Sequence, residues 1–81
     1  MISMSEDEPR IRICQDHTGK ALSKVGPMHY DKLFEIVNRE TGHGNPTFKT
    51  ALERMVGAGL VSKKPLRKIY ELTEKGRKQF P

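Results

Sequence analysis

The sequence has no tryptophan, one cysteine and no long hydrophobic run. Cys14 therefore has no partner for an internal disulfide bond. No apolar stretch approaches the roughly 20 residues of a membrane-spanning helix, and none suits a signal peptide. We expect a protein of the reducing cytoplasm or nucleoid, with no membrane partner.

Aromatic residues are also scarce, at 6% of the 81 residues, and hydrophobic residues make up only 35%. A chain of this length can bury one core but not two. That core must be built mostly from aliphatic side chains and Met between short elements, which favours helices over a large sheet. The sequence therefore predicts one domain, residues 10–81, after a flexible N-terminal tail over residues 1–9.

Residue patterns for catalysis or metal binding are lacking as well. His17, His29 and His43 are 12 and 14 positions apart and lack the close pairs of a zinc site. Cys14 falls on the apolar face of the first predicted helix, where a small buried role is favoured over a redox sensor. No Ser-His-Asp, paired-carboxylate or phosphate-loop arrangement can be assembled. We expect a protein that is not an enzyme and has no cofactor, metal or small-molecule ligand.

Positive charge, in contrast, is abundant and unevenly distributed. The chain has a formal charge of +5, but residues 1–44 carry six Lys/Arg against seven Asp/Glu, a net −1. Residues 45–81 carry nine Lys/Arg against three Asp/Glu, a net +6. Asymmetry of this size on a small domain indicates a surface that faces a polyanion, most often nucleic acid. A solvated basic surface without a partner is the alternative that charge alone leaves open.

The first predicted helix begins near Pro9, whose missing N–H suits a first helical turn. Gly19 weakens this helix by roughly 1 kcal/mol relative to alanine, so a bend or a late start is expected. Gly26-Pro27 ends it. Apolar or small residues at helical spacing define its buried face: Ile11, Cys14, Thr18, Ala21, Leu22 and Val25.

A second helix follows a short extended pair, Met28-His29. It begins near Tyr30 or Asp31, with His29 or Asp31 as its N-cap, and ends by Thr41-Gly42. Four residues are expected on its buried face: Leu33, Phe34, Ile36 and Val37.

The third helix carries the strongest apolar stripe of the chain. Asn45 is a good N-cap and Pro46 a good first helical residue, so the helix is predicted over residues 45–57. The residues 57–59, Gly-Ala-Gly, then close it, and Leu60-Val61 returns to the core. The buried positions follow at helical spacing: Phe48, Ala51, Leu52, Met55 and Val56. The opposite face is polar: Thr47, Lys49, Thr50, Glu53 and Arg54.

After Val61 the pattern changes to that of a β-hairpin. Residues 60–63 and 68–72 are predicted to form two antiparallel strands, joined by a turn at residues 64–67. Thr73 can cap a last short helix, residues 74–80, whose Phe80 docks on the core. The predicted connection, residues 62–68, is basic: Lys63, Lys64, Arg67 and Lys68.

The order of helix, short strand, two helices, hairpin and short helix is typical of a winged helix-turn-helix domain. The predicted fold class is therefore α+β and mostly helical, with a three-helix core, a two- to three-stranded β-hairpin wing and a short C-terminal helix. A helix fits the major groove of DNA, where its outward polar residues meet base edges. Basic residues on a flanking hairpin meet phosphates.

Two segments also resemble a known superfamily. LERMVGAGLV, residues 52–61, followed by YELTEKGR, residues 70–77, is similar to the recognition helix, wing and post-wing segment of MarR-like, PadR-like and related prokaryotic and archaeal winged-helix regulators. Residues 26–33 resemble the usual entry to the second helix, so the likeness covers residues 10–80. MarR-like and PadR-like proteins generally have additional helices for dimerisation, whereas this chain stops at Pro81 and has a short wing. Homodimerisation, a palindromic target and deep minor-groove contact therefore stay open.

The resemblance implies that Thr47, Lys49, Thr50 and Arg54 face the major groove and that Lys63, Lys64, Arg67 and Lys68 form the wing. Asn45, at the start of the helix, completes the predicted DNA-binding residues. Three of these residues have an alternative: Thr47 and Thr50 can be merely exposed, and Arg54 can pair with neighbours on the Glu53 side or cap the helix end. The wing residues are predicted more firmly as a group, because neutralising phosphate needs charge density more than geometry.

Two functions follow from the sequence. The first is a small DNA-binding transcriptional regulator, with helix 45–57 in the major groove and the wing on the phosphate backbone of double-stranded DNA. The second is a winged-helix protein–protein interaction module, whose basic surface meets an acidic partner or whose first helix forms a dimer face. RNA binding is a weaker third alternative, because aromatic residues for base stacking are few.

Overall fold

Glycine and proline divide the chain into helices and strands close to the positions that the sequence predicts. The computed structural model describes residues 7–81, and within them it contains four helices and one three-stranded antiparallel sheet. The α+β class is therefore confirmed. The elements are α1 (Asp7–Val25), β1 (Met28–His29), α2 (Tyr30–Thr41), α3 (Gly44–Gly57), β2 (Val61–Lys64), β3 (Ile69–Leu72) and α4 (Glu74–Gln79).

Helix α1 begins earlier than predicted. Asp7, Glu8 and Pro9 are helical, so these three residues do not belong to a flexible tail; residues 1–6 of the predicted tail lie outside the described residues. The predicted face is buried at Ile11, Cys14, Thr18, Ala21 and Leu22. Val25 is an exception, because it is the last residue of α1 and borders an open groove between α1 and α2, where 61% of it is exposed.

Gly19 does not delay the start of α1, because the helix begins at Asp7 and runs through Gly19 without interruption. A Cβ atom at this position would overlap the ring of Phe80, which packs directly over it. Phe80 thus docks on the core as predicted. Gly19 allows the chain after α4 to approach α1 closely, which offsets the intrinsic helix cost of glycine.

Helix α2 follows the prediction at both ends. His29 is its N-cap, and its Nδ1 accepts the N–H of Asp31 at 3.1 Å. The helix ends at Thr41, where Gly42 has a left-handed φ of 69°. Leu33 and Val37 are fully buried, and the two other predicted positions, Phe34 and Ile36, are half-buried against the same core.

The start of α3 corrects a sequence prediction, because Asn45 is not its N-cap. The helix begins at Gly44, and the residue before it, His43, makes no side-chain capping bond. Oδ1 of Asn38 in α2 instead accepts the N–H of Gly44 at 2.9 Å, which satisfies a donor that a local cap would otherwise take. Gly44 has a φ of +85°, a conformation that glycine adopts without strain. Pro46 lies in the first turn as expected.

The apolar stripe of α3 forms the centre of the core. Phe48, Ala51, Leu52 and Met55 are buried, as predicted, against α1 and the sheet. Val56 is 37% exposed instead, because it lies at the edge of the stripe in the last turn of the helix. The helix ends at Gly57, within the predicted Gly-Ala-Gly segment.

The sheet has the strand order β1-β3-β2, with both neighbouring pairs antiparallel. The hairpin is displaced by one residue from the prediction: Lys64 pairs with Ile69 inside the ladder, and the turn occupies residues 65–68. Lys68 has a φ of 52°, which is incompatible with the strand geometry predicted for it. The carbonyl oxygen of Lys64 accepts the N–H groups of Arg67 and Lys68 and closes the turn.

Helix α4 is capped as expected. The Thr73 hydroxyl oxygen accepts the N–H of Gly76 at 3.1 Å, and the same hydroxyl donates to the carbonyl oxygen of Gly59. Thr73 therefore ties α4 to the chain that leaves α3. None of the helices in residues 7–81 combines the length and the apolar character needed to cross a membrane.

Candidate nucleic-acid interface

A cleft of about 500 Å³ lies where the starts of α2 and α3 meet the hairpin of β2 and β3. We call it the α3–hairpin cleft. His29, Asp31 and Tyr70 line it beside six further polar residues: Tyr30, Asn45, Lys49, Glu53, Lys63 and Lys68. Four of these six belong to the predicted DNA-binding residues, and they come from both the helix and the wing of that prediction.

The helix contributes Asn45 and Lys49, which are four residues apart and therefore share one side of α3. Both side chains are exposed. The strand contributes Lys63, which pairs with Tyr70 in the ladder. Side chains of paired residues point to the same face of a sheet, so Lys63 lies on the face of Tyr70 that packs toward the core, and its amine reaches the cleft at the edge of that core.

The other two basic residues of the hairpin are separated from this cleft. Lys64 lies on the opposite face of the sheet, and its Nζ is 3.3 Å from a carboxylate oxygen of Glu71. Arg67 is exposed in the turn. The four predicted wing residues thus divide into Lys63 and Lys68 at the cleft, Lys64 in an ion pair, and Arg67 at the hairpin tip.

Tyr30 connects the three elements around the cleft. Its backbone N–H donates to the carbonyl oxygen of Lys68 at 2.9 Å, and its hydroxyl donates to Oδ1 of Asn45 at 2.7 Å. Its ring lies edge-on to Phe48, with centroids 5.3 Å apart, and tilted against Tyr70 at 6.1 Å. Aromatic pairs at these distances stabilise a fixed ring orientation, so the hydroxyl has a defined place beside α3.

The pKa of Tyr30 is raised above its ordinary value, mainly because burial disfavours the phenolate. Tyr70, Asp31 and Glu53 add to this rise through their charges. The hydroxyl therefore keeps its proton in neutral and mildly alkaline solution and remains a donor to Asn45.

The cleft also contains two carboxylates, Asp31 and Glu53, opposite three lysines. Its formal charge is therefore +1, with His29 neutral, and it is less basic than the net +6 of residues 45–81 predicts. Nδ1 of His29 accepts a backbone N–H and needs its lone pair for that bond. A polyanion at this surface would meet the two carboxylates as well as the three lysines.

The remaining predicted reading residues lie on a different side of α3. Thr47, Thr50 and Arg54 are three and four residues apart and form a second stripe, separate from that of Asn45 and Lys49. Thr47 and Thr50 are half-buried. Nη1 of Arg54 is 2.8 Å from Oε2 of Glu8 in the first turn of α1, so its partner is neither a neighbour on the Glu53 side nor the end of its own helix.

Cys14 and the three histidines occupy unrelated positions. Cys14 is buried, as predicted, and burial raises the pKa of its thiol, although a contact with Thr41 at 3.9 Å opposes the rise. His17 bonds Glu40 at 2.7 Å, while His29 and His43 occupy the helix starts. No group of three or more His, Cys, Asp or Glu residues within positions 7–81 is arranged to hold a metal ion.

The sequence pattern does not indicate Tyr30 and Asp31 as parts of the cleft, or Glu8 as the partner of Arg54. Tyr30 and Asn45 are 15 positions apart, and Glu8 and Arg54 are 46 apart, so no local periodicity connects either pair. The one available signal was an aromatic residue with a polar end at a helix start, which is a position where such residues commonly find a hydrogen-bond partner.

The chain matches no protein-family model, no curated protein and no solved structure. Evidence about its function therefore comes from its residues and their contacts.

Proposed function

We propose that this protein binds double-stranded DNA as a small winged helix-turn-helix transcriptional regulator. In this proposal α3 enters the major groove, and the hairpin of β2 and β3 is the wing on the flanking phosphates. The observation that carries the proposal is the convergence of Asn45 and Lys49 from the helix with Lys63 and Lys68 from the hairpin on one open cleft.

The element order supports the winged-helix assignment. A three-helix core precedes a hairpin, and β1, which lies between α1 and α2, pairs with β3 to extend that hairpin to three strands. The resemblance of residues 52–61 and 70–77 to MarR-like and PadR-like regulators points the same way. Helix α3 has 14 residues, and an α-helix is about 10–12 Å across, which fits a major groove about 12 Å wide.

The cleft suggests separate roles for its residues. Lys49, Lys63 and Lys68 would neutralise phosphates, since ammonium groups from two elements can follow one DNA backbone. Asn45, in the first turn of α3, would meet base edges, because the N-terminal residues of a recognition helix usually do so. The exposed Arg67 at the hairpin tip would extend the phosphate contact along the duplex.

Two of the predicted DNA-binding residues must first break an ion pair with a carboxylate of the same chain. Lys64 is paired with Glu71 and Arg54 with Glu8. Exposed ion pairs of this kind contribute only about 0–1 kcal/mol, so a phosphate of the duplex can replace the carboxylate at small cost. We keep both residues in the proposed interface, with a smaller contribution than the residues of the cleft.

A fluorescence anisotropy titration with a labelled duplex tests the proposal. We expect binding at about 50 mM salt that weakens steeply as salt rises, because each phosphate contact releases counterions. The absence of duplex binding at low salt would remove the proposal.

A protein–protein interaction module is the second candidate, and one observation favours it. Leu66, at the tip of the hairpin, is 97% exposed, more than the exposed Ile13, Val25 and Val56, and would give a protein partner an apolar contact beside basic residues. If the protein is an interaction module, Leu66→Ser should abolish binding of an acidic protein partner, which binds in a stoichiometric ratio and is not displaced by duplex DNA. If duplex DNA displaces the partner, the DNA-binding proposal is favoured.

A further inference from the structure

The hydrogen bond between Tyr30 and Asn45 has a consequence beyond phosphate binding. The Tyr30 hydroxyl donates to Oδ1 of Asn45 at 2.7 Å, while two aromatic neighbours and a backbone bond to Lys68 hold the tyrosine itself. The amide of Asn45 is exposed at the cleft, in the first turn of α3. One side of this exposed amide is therefore bonded to the protein, and the other side faces solvent.

This bond determines which groups Asn45 presents outward. An amide oxygen has two lone pairs and the amide nitrogen carries two protons. Tyr30 uses one lone pair of Oδ1, which leaves the second lone pair and the Nδ2 protons for a partner. Rotating the amide by a half turn would place Nδ2 against the tyrosine hydroxyl and make that hydroxyl the acceptor. In the structure the hydroxyl is the donor, so Oδ1 of Asn45 faces Tyr30.

We infer that Asn45, oriented by Tyr30, reads an adenine in the major groove. This inference rests on the proposed binding of double-stranded DNA. Adenine presents an acceptor at N7 and a donor at N6, and an asparagine amide pairs with both. Oδ1 accepts from N6 with its second lone pair, and Nδ2 donates to N7. Tyr30 touches no base and acts as a positioning residue.

The other three bases fit this arrangement less well. Guanine presents two acceptors, N7 and O6, so a fixed Oδ1 of Asn45 would oppose one of them. Cytosine offers one donor and thymine one acceptor on the major-groove edge, so either can form a single bond with the amide. Adenine alone uses both free groups of the oriented side chain.

The raised pKa of Tyr30 is consistent with this role. Burial and the nearby Tyr70, Asp31 and Glu53 disfavour the phenolate, so the hydroxyl stays a donor at neutral pH. A phenolate could only accept a bond, and it would orient Nδ2 of Asn45 toward itself.

Selection of bound sequences from a random duplex pool tests this inference with four variants. Asn45→Ala removes the amide, and Tyr30→Phe removes only the hydroxyl while keeping the ring between its aromatic neighbours. Tyr70→Phe is the matched control, since it removes a phenol hydroxyl from the same aromatic cluster and leaves the Tyr30 bond to Asn45 in place. Asn45→Asp keeps the shape of Asn45 and an acceptor for Tyr30 but replaces the donors to N7. Thermal unfolding verifies that each variant is folded.

We expect the wild type to select adenine at one position of its site. The preference for adenine over guanine there should fall about tenfold or more in Asn45→Ala, the scale of one bidentate contact. In Tyr30→Phe it should fall about two- to tenfold, the scale of one hydrogen bond. Tyr70→Phe should keep the preference, and Asn45→Asp should lose it. The salt dependence of binding should be the same in Tyr30→Phe and wild type, because no phosphate contact is removed.

Several outcomes would overturn the inference. Duplex binding by Asn45→Ala and Tyr30→Phe with unchanged base preferences would exclude it and leave the proposed function standing. Loss of preference for a base other than adenine would contradict the assigned base. If Tyr30→Phe does not fold, the two substitutions at the exposed Asn45 still decide the matter. Failure of the folded wild type to bind duplex at low salt would remove the proposed function and this inference together.

Discussion

Replacing Lys63 and Lys68 by alanine should reduce the salt dependence of duplex binding. Both residues line the α3–hairpin cleft, and each is proposed to neutralise one phosphate. One phosphate contact contributes about −0.9 to the slope of log K against log salt concentration, so the loss of two contacts makes the slope less negative by about 1.8. When salt rises from 50 to 200 mM, the affinity of the double variant should therefore fall by a factor that is about 12 times smaller than the factor for the wild type.

Anisotropy titrations at four salt concentrations measure this slope. Lys20→Ala combined with Lys24→Ala is the matched control, because it removes the same charge from the groove between α1 and α2. The control should keep the wild-type slope to within about 0.5, since charges beyond the contact surface release few counterions. An unchanged slope in the cleft variant, or an equal change in the control, would refute the assignment of phosphate contacts to this cleft.

Three further perturbations have defined outcomes. Gly19→Ala should lower the free energy of unfolding in urea by about 1–2 kcal/mol, because the new methyl group overlaps the ring of Phe80. Gly57→Ala should instead stabilise the protein by up to about 1 kcal/mol, because a Cβ atom at Gly57 would have no neighbouring atom within 4 Å. Destabilisation by both substitutions would contradict the packing argument. Glu53→Gln should raise duplex affinity about two- to fivefold at low salt by removing a carboxylate from the cleft, and a fall in affinity would argue against DNA there. Because the pKa of Tyr30 is raised in the folded state, the unfolded chain releases the phenol proton first, so the contribution of Tyr30 to stability should be constant below the ordinary value of 10.0 and decrease as pH rises above it. Unfolding of Tyr30→Phe over the same pH range should show a smaller decrease, and an equal decrease would contradict the raised pKa.

The parts of the fold that local chemistry determines were predictable from sequence. The stripe from Phe48 to Met55 has a helical period that only one face of a helix can satisfy, and it is buried accordingly. Thr73 precedes a short polar segment and caps it, as its hydroxyl favours. The same local logic gives His29 or Asp31 as the N-cap of α2, and His29 is the cap. For the two caps, the stabilising partner lies two or three residues along the chain, and for the stripe the signal lies within one helix.

The errors arose where a distant side chain replaced a local one. Asn45 has the character of an N-cap, but the amide of Asn38 in the preceding helix satisfies the exposed N–H at the start of α3. That exchange leaves the Asn45 side chain available to Tyr30. The hairpin was misplaced by one residue because Lys68 takes up a left-handed conformation, which no residue type there announces.

The candidate site was predictable in its composition and not in its geometry. The sequence predicts one wing made of Lys63, Lys64, Arg67 and Lys68, but the pleat of the strand turns Lys63 toward the cleft and Lys64 away from it. Arg54 was assigned to the reading face, yet its carboxylate partner Glu8 is 46 positions away, in α1. Pairings over such distances depend on how the helices pack, so the sequence pattern of one helix does not predict them.

The central claim is that the α3–hairpin cleft binds duplex DNA, and NMR measurement of amide chemical shifts during a duplex titration tests it most directly. We expect the largest shift changes at Asn45, Lys49, Lys63 and Lys68, and small changes in the groove around Lys20 and Lys24. Large changes confined to the groove between α1 and α2, or no changes at low salt, would contradict the claim.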